Sequence, residues 1–319
     1  MDIAIIAIVF GFIGLTWSAD QFVAGAIVIA KCWKISPMLI GLTVVSLGTS
    51  APEIWVSVMA VTQGHGAIAV GNAIGSNIAN IGLVLGVTTM IAPLTIKKSI
   101  VCREMPWLIL VTIIAGGCLL NLYLGFFDSL VLIVFLLLTL YLMFRWQKNS
   151  LEEPLIEAAK TPELPTSTAL LKLFGGLIVL LISSQVLIWG AVQIAKFMGV
   201  SELIIGLTII AIGTSLPELA ASVMSAVRHQ YDIALGNIVG SNIFNLLAVL
   251  AVPGLLAPGK VNSLVMSRDY PVMLGLTLLL VAFSVGKQPK SIGRLAGFMF
   301  LTSYCSYNAW LYIQSTFNG

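Results

Sequence analysis

Residue by residue, the first half of this chain returns in its second half at one fixed offset. Gly48-Thr49-Ser50-Ala51-Pro52-Glu53 is echoed by Gly213-Thr214-Ser215-Leu216-Pro217-Glu218, so Glu53 and Glu218 stand 165 positions apart (218 − 53). The same spacing relates Ser18 to Ser183, Gly25 to Gly190, Lys31 to Lys196, and Gly41-Leu42-Thr43 to Gly206-Leu207-Thr208. It continues through Gly71-Asn72 with Gly236-Asn237, Gly75-Ser76-Asn77-Ile78 with Gly240-Ser241-Asn242-Ile243, and Asn80 with Asn245. It still holds at Pro93 with Pro258, Arg103 with Arg268, and Pro106 with Pro271, with no gap along the way. Chance does not give a match of that length, so the chain is a duplication.

Each copy is built from apolar runs long enough to cross a bilayer. Apolar residues make up 59% of the 319 positions and charged residues 9%, the composition of an integral membrane protein. Hydropathy draws about ten spans, roughly 3–30, 36–62, 67–93, 105–123, 128–146, 169–195, 201–227, 232–257, 270–286 and 294–314. Five spans per copy is an odd number, so the second copy enters the membrane upside down. The fold class is therefore an all-α integral membrane protein: two inverted five-helix repeats, residues 1–146 and 169–319, joined by a linker at 147–168. Inverted repeats are a transporter architecture, with the substrate site at midplane where broken helices of both halves meet.

Charge sets the orientation. Of the sixteen Lys and Arg, only Lys196, Lys260 and Arg268 fall outside if the N-terminus is external; thirteen then fall on the cytoplasmic side. Both termini are expected outside, and the polar, acidic, proline-bearing linker inside. Asp2 precedes the first apolar run without a basic segment or a clear cleavage site, which reads as an uncleaved first span. The basic residues are scattered through short loops, which argues against a nucleic-acid partner. Cys32, Cys102, Cys118 and Cys305 lack metal-ligand spacing and read as small apolar fillers.

Two carboxylates inside such runs are costly, and ionisable groups at membrane depth mark functional sites. Pro52 and Pro217 lack an N–H and clash with the carbonyls of Gly48 and Gly213, so the second and seventh spans should open at those glycines. Freed carbonyls near Leu47–Thr49 and Ile212–Thr214, the hydroxyls of Thr49, Ser50, Thr214 and Ser215, and the charges of Glu53 and Glu218 suit a hard cation. Two carboxylates balance one divalent ion. No cysteine or histidine lies nearby to favour zinc or copper. On the third and eighth spans, Asn72, Ser76 and Asn80 share one helical face, as do Asn237, Ser241 and Asn245. Interhelical hydrogen bonding alone is the alternative reading of those faces, since asparagine is also good packing glue. Asp20 breaks the symmetry, since its counterpart is Gln185; it reads as a hydrogen-bonding anchor rather than a ligand. His65 and His229 fall in short loops and read as solvated.

The paired GTS-x-PE and GN-x-x-GSN-I-x-N segments resemble the two α-repeats of the cation/calcium antiporter superfamily, which includes the sodium/calcium exchangers. The similarity to its compact bacterial branch covers essentially the whole chain. It implies ten helices, external termini, a bacterial inner membrane, and exchange of Ca²⁺ for Na⁺ by alternating access, with no cofactor. Carried over position by position, Glu53, Glu218 and the backbone at Thr49 and Thr214 would form the calcium site. Ser50, Ser215, Ser76, Ser241 and the carbonyls of Ser46 and Ala211 would help hold sodium. Asn80 and Asn245 would sit beside the central site. Some exchangers carry aspartate at the second of these positions. Asparagine at both leaves sodium and proton coupling as alternatives. A passive channel is disfavoured by lone glutamates in inverted halves. An intramembrane hydrolase built on Ser50 or Ser215 lacks a base, since neither histidine lies in a span and no HExxH occurs.

Overall fold

The computed structural model describes residues 1–148, 165–199, 209, 211–286 and 290–317. Seven helices among these are long and apolar enough to cross a membrane: Asp2–Cys32, Gly66–Ile91, Lys98–Leu119, Phe126–Trp146, Thr166–Phe197, Tyr231–Leu256 and Val265–Ser284. They are the first, third, fourth, fifth, sixth, eighth and ninth spans. The second span is a pair, Pro37–Thr49 and Ala51–Thr62, bent by 41°. The described part of the seventh comprises Ala211–Thr214 and Leu216–Val227; most of 201–210 lies outside the described residues. A more polar tenth helix runs Arg294–Phe317. The fifth helix continues to Lys148 and the sixth starts at Thr166, so helix occupies both ends of the segment read as linker; residues 149–164 lie outside the described ones.

Burial arranges these helices into a centre and a rim. In the third and eighth spans 72% and 83% of the apolar window is buried, against 22% to 33% for the first, fifth, sixth and ninth. The segments richest in Gly, Ser and Asn are thus innermost, and the Leu- and Phe-rich helices face lipid. The reason is chemical: between helices the polar groups can be bonded, while hydrocarbon offers them nothing.

The first and sixth helices lie antiparallel along each other, and their contact reproduces the duplication. A Cβ added at Gly25 would come 2.8 Å from the Ala169 carbonyl; one added at Gly190 would come 2.7 Å from the Ala4 carbonyl. Both members of each pair are related by the 165-residue offset. Such approach needs glycine, because any side chain would push the backbones apart.

Two short antiparallel ribbons were not anticipated by an all-helical reading. β1 (Leu94–Ile96) pairs with β4 (Lys290–Ile292), and β2 (Tyr123–Leu124) pairs with β3 (Gly259–Lys260). Each ribbon joins a loop of one half to a loop of the other. With two or three residues per strand they carry no periodicity that a sequence reading can detect.

Candidate cation site

Sequence reasoning put the helix openings at Gly48 and Gly213; the breaks fall two residues later, at Ser50 and Ser215. Ser50 has φ −84° and ψ 6°, and Ser215 has φ −87° and ψ 2°, both in the bridge region between helix and strand. A new helix starts directly afterwards, with Pro52 or Pro217 in its first turn, where proline's missing N–H costs nothing. The carbonyls of Ser46 and Gly48 accept N–H groups at the first break, so the Gly48 carbonyl is not left open as expected. The glycines serve close packing instead. A Cβ at Gly48 would meet Leu177 Cδ2 at 2.9 Å, and one at Gly213 would meet Ile188 Cγ1 at 2.4 Å.

Each break places a glutamate in the first turn of the following helix. The exposed N–H groups and partial positive charge of that terminus stabilise a carboxylate. Glu53 and Glu218 are both only 1% exposed. Ser50 Oγ of the first half donates to Glu218 Oε1 of the second at 2.9 Å, and Thr49 Oγ1 donates to Asn237 Oδ1 at 3.1 Å. The two breaks therefore meet at one place.

The remaining expected residues lie on elements packed against the two glutamate helices. Ser46, Ser76, Ser241, Asn80 and Asn245 are all buried; Thr214 is half-buried, and Ala211 opens the turn that precedes the second break. Ser46 Oγ donates to Leu42 O at 2.7 Å, and its carbonyl accepts the Ser50 N–H at 2.9 Å. Several buried polar atoms have no hydrogen-bond partner among the described residues: Glu53 Oε2, Glu218 Oε2, Ser215 Oγ, Ser241 Oγ, and both amide ends of Asn80 and Asn245. A buried polar atom left unpaired costs about 1–3 kcal/mol, more if charged. An oxygen-rich set of such atoms beside two carboxylates fits a hard cation. Among the described residues no cluster of three or more His, Cys, Asp and Glu exists, so neutral oxygens must supply most ligands.

Two features escaped sequence reasoning. At Asn80 and at Asn245 the helix widens into π turns, Asn80–Leu85 and Asn245–Val249. Such widenings frequently mark functional positions, because they turn side chains and loosen carbonyls. No residue pattern announces them. The second is a pair of amide clamps: Asn72 and Asn237 donate to the backbone carbonyls of Glu53 and Glu218.

Other expectations resolve more simply. Asp20 pairs with Arg228, with Oδ1 2.7 Å from Nε, and it stands apart from the glutamates as an anchor. His65 and His229 are exposed. All four cysteines are free, and only Cys118 is buried; Cys32, Cys102 and Cys305 are exposed rather than filling the core.

The family model described as sodium/calcium exchanger protein matches the chain twice, over residues 3–145 and 168–313. The chain belongs to the sodium/calcium exchanger family. It is accordingly a multi-pass membrane antiporter of the cation/calcium kind and not an enzyme. A putative antiporter, CaxA of Alkalimonas amylolytica, is 46% identical over 98% of this chain and 99% of its own length. The sodium/calcium exchanger MaX1 of Methanosarcina acetivorans is 27% identical over 93% of this chain and 95% of its own. Among solved structures, the sodium-calcium exchanger NCX_Mj soaked with Na⁺ and Ca²⁺ superposes with a TM-score of 0.83 at 32% identity, covering 96% of this chain and 97% of that one. Exchanger membership agrees with the fold built here, ten helices in two inverted halves.

Proposed function

We propose that the protein exchanges Ca²⁺ for Na⁺ across the membrane, both ions using the site between the two helix breaks. The observation that carries this reading is a pair of buried carboxylates, one of them bonded by Ser50 of the other half, with unpaired buried oxygens on elements packed against them. Glu53, Glu218 and the Thr49 and Thr214 backbone ligate calcium. Ser50, Ser215, Ser76, Ser241 and the Ser46 and Ala211 carbonyls complete sodium positions that overlap or flank it. Asn80 and Asn245 border the centre, each at the mouth of a π turn.

Inverted halves supply the mechanism. Each half can adopt the arrangement of the other, which carries a central site from one side of the membrane to the other without a continuous pore. The two glutamates neutralise one Ca²⁺, and desolvating that ion between them is offset by oxygen ligands on all sides. Sodium competes because it takes the same hard oxygens. The charge bias of the loops supports external termini and a cytoplasmic 147–168 segment between halves 1–146 and 169–319, in a bacterial inner membrane.

Reconstituted protein tests the coupling. Ca²⁺ uptake into proteoliposomes should be driven by an outward Na⁺ gradient and not by equal gradients of K⁺ or choline. Uptake that ignores Na⁺ and follows a pH gradient would replace this reading with proton coupling.

A further inference from the structure

The seam between the helix that carries each glutamate and the helix beside it is held by an asparagine with both amide protons in use. Asn72 Nδ2 donates to Glu53 O at 3.0 Å and to Ser57 Oγ at 3.2 Å. Asn237 Nδ2 donates to Glu218 O at 3.2 Å and to Ser222 Oγ at 2.9 Å. Every residue of one clamp is the counterpart of one in the other, 165 positions on. An NH₂ group has two protons, and the two acceptors, one main-chain carbonyl and one hydroxyl, take both.

We propose that Asn72 and Asn237 are positioning residues for cation binding: they fix the glutamates through their backbones and do not ligate the ion themselves. The second and seventh spans are interrupted at Ser50 and Ser215, so the helix that begins after each break has lost the continuous hydrogen-bond ladder that would hold its first turn. Glu53 and Glu218 sit in that first turn. The asparagine bonds tie it to the third or eighth span, the most buried of the described membrane-spanning helices. The Asn237 oxygen is engaged as well, accepting from Thr49 Oγ1 of the other half at 3.1 Å. One side chain thus joins the Glu218 backbone to the opposite break, with its oxygen turned away from ligation. Asparagine is the residue this needs: aspartate would set an acceptor against the Glu218 carbonyl, and alanine would leave carbonyl and hydroxyl without the donor.

The inference rests on the proposed cation site, and its test separates the two. Ca²⁺, Sr²⁺ and Ba²⁺ uptake is measured for wild type, Asn72→Ala and Asn237→Ala in proteoliposomes, beside the thermal stability of each protein in ion-free buffer. Absence of cation uptake by wild type would refute the site itself. With wild type active, the expected result is an apparent KM for Ca²⁺ raised about tenfold or more in each variant, because a carboxylate displaced by a fraction of an ångström spoils a cage of small size. The preference for Ca²⁺ over the larger Ba²⁺ should shrink by about threefold or more, since a loosened cage no longer selects by radius. A purely structural role would lower stability and leave that preference alone, and that result would overturn the proposal. If either alanine variant is not monodisperse, the near-isosteric Asn72→Asp or Asn237→Asp decides by the same two readouts. Failure of both replacements to fold at one position would equally overturn the positioning role.

Discussion

The two helix breaks carry nearly the same residues, yet the structure holds them differently. At the first, Thr49 and Ser50 reach across the repeat boundary, to Asn237 and to Glu218. At the second, the equivalent hydroxyl of Ser215 finds no partner among the described residues. A Cβ at Gly236 would come 2.7 Å from Met38 O, and one at Gly240 would come 2.5 Å from Ser46 Oγ, so the second span lies hard against the eighth. Equivalent residues are thus held differently in the two halves; on the proposed function, that difference is one alternating access would exchange between them.

The largest effect should come from what the halves share. Glu53→Gln and Glu218→Gln are each expected to abolish Ca²⁺ uptake by reconstituted protein while leaving it folded and monodisperse. Losing one carboxylate about 3 Å from a divalent ion forfeits on the order of 10 kcal/mol of gross Coulomb attraction at an effective dielectric near 20. Relief of desolvation offsets most of it, yet ~3 kcal/mol is already more than a hundredfold in affinity. A neutral amide is cheaper to bury than an unpaired carboxylate, so folding survives.

The close approach at Gly240 predicts a cost for filling it. Gly240→Ala must displace Ser46 or the Leu42 carbonyl and should cost about 1–3 kcal/mol in thermal unfolding.

A finer contrast lies in the hydroxyls. Ser50→Ala removes the donor to a buried carboxylate and should lower stability in ion-free buffer by roughly 1–2 kcal/mol, whereas Ser215→Ala, removing an unpaired buried hydroxyl, should be neutral or slightly stabilising. Equal losses in calorimetry would mean the asymmetry is not a property of the resting protein. Least affected should be Asp20→Asn. Its partner Arg228 and Asp20 are each about a third exposed, 37% and 32%, and such solvated pairs contribute roughly 0–1 kcal/mol. Uptake within about twofold of wild type is the expected readout.

The sequence exposed the skeleton because duplication leaves a signal that needs no neighbours to be read. Ten apolar runs and an odd count per copy set out the architecture, and the doubled glutamates marked the candidate site. Glu53 and Glu218 were legible because a carboxylate in an apolar run has few explanations. The breaks were placed two residues off because proline reports only the carbonyl it cannot serve. Where the chain gives way depends on packing, and at Gly48 that packing comes from Leu177 on a distant helix. The π turns at Asn80 and Asn245 were invisible for the same reason, being set by neighbours and not by local propensity. The face of Asn72, Ser76 and Asn80 was seen, but not that Asn72 donates to the main chain of Glu53.

Equilibrium Ca²⁺ binding to the purified protein at several Na⁺ concentrations tests the shared site most directly, with K⁺ and choline as controls. If Glu53 and Glu218 hold both ions, Na⁺ shifts the Ca²⁺ curve to higher concentration, Ca²⁺ shifts the Na⁺ curve reciprocally, and neither control cation moves it. A Ca²⁺ curve that stays where choline leaves it at every Na⁺ concentration would contradict a common site.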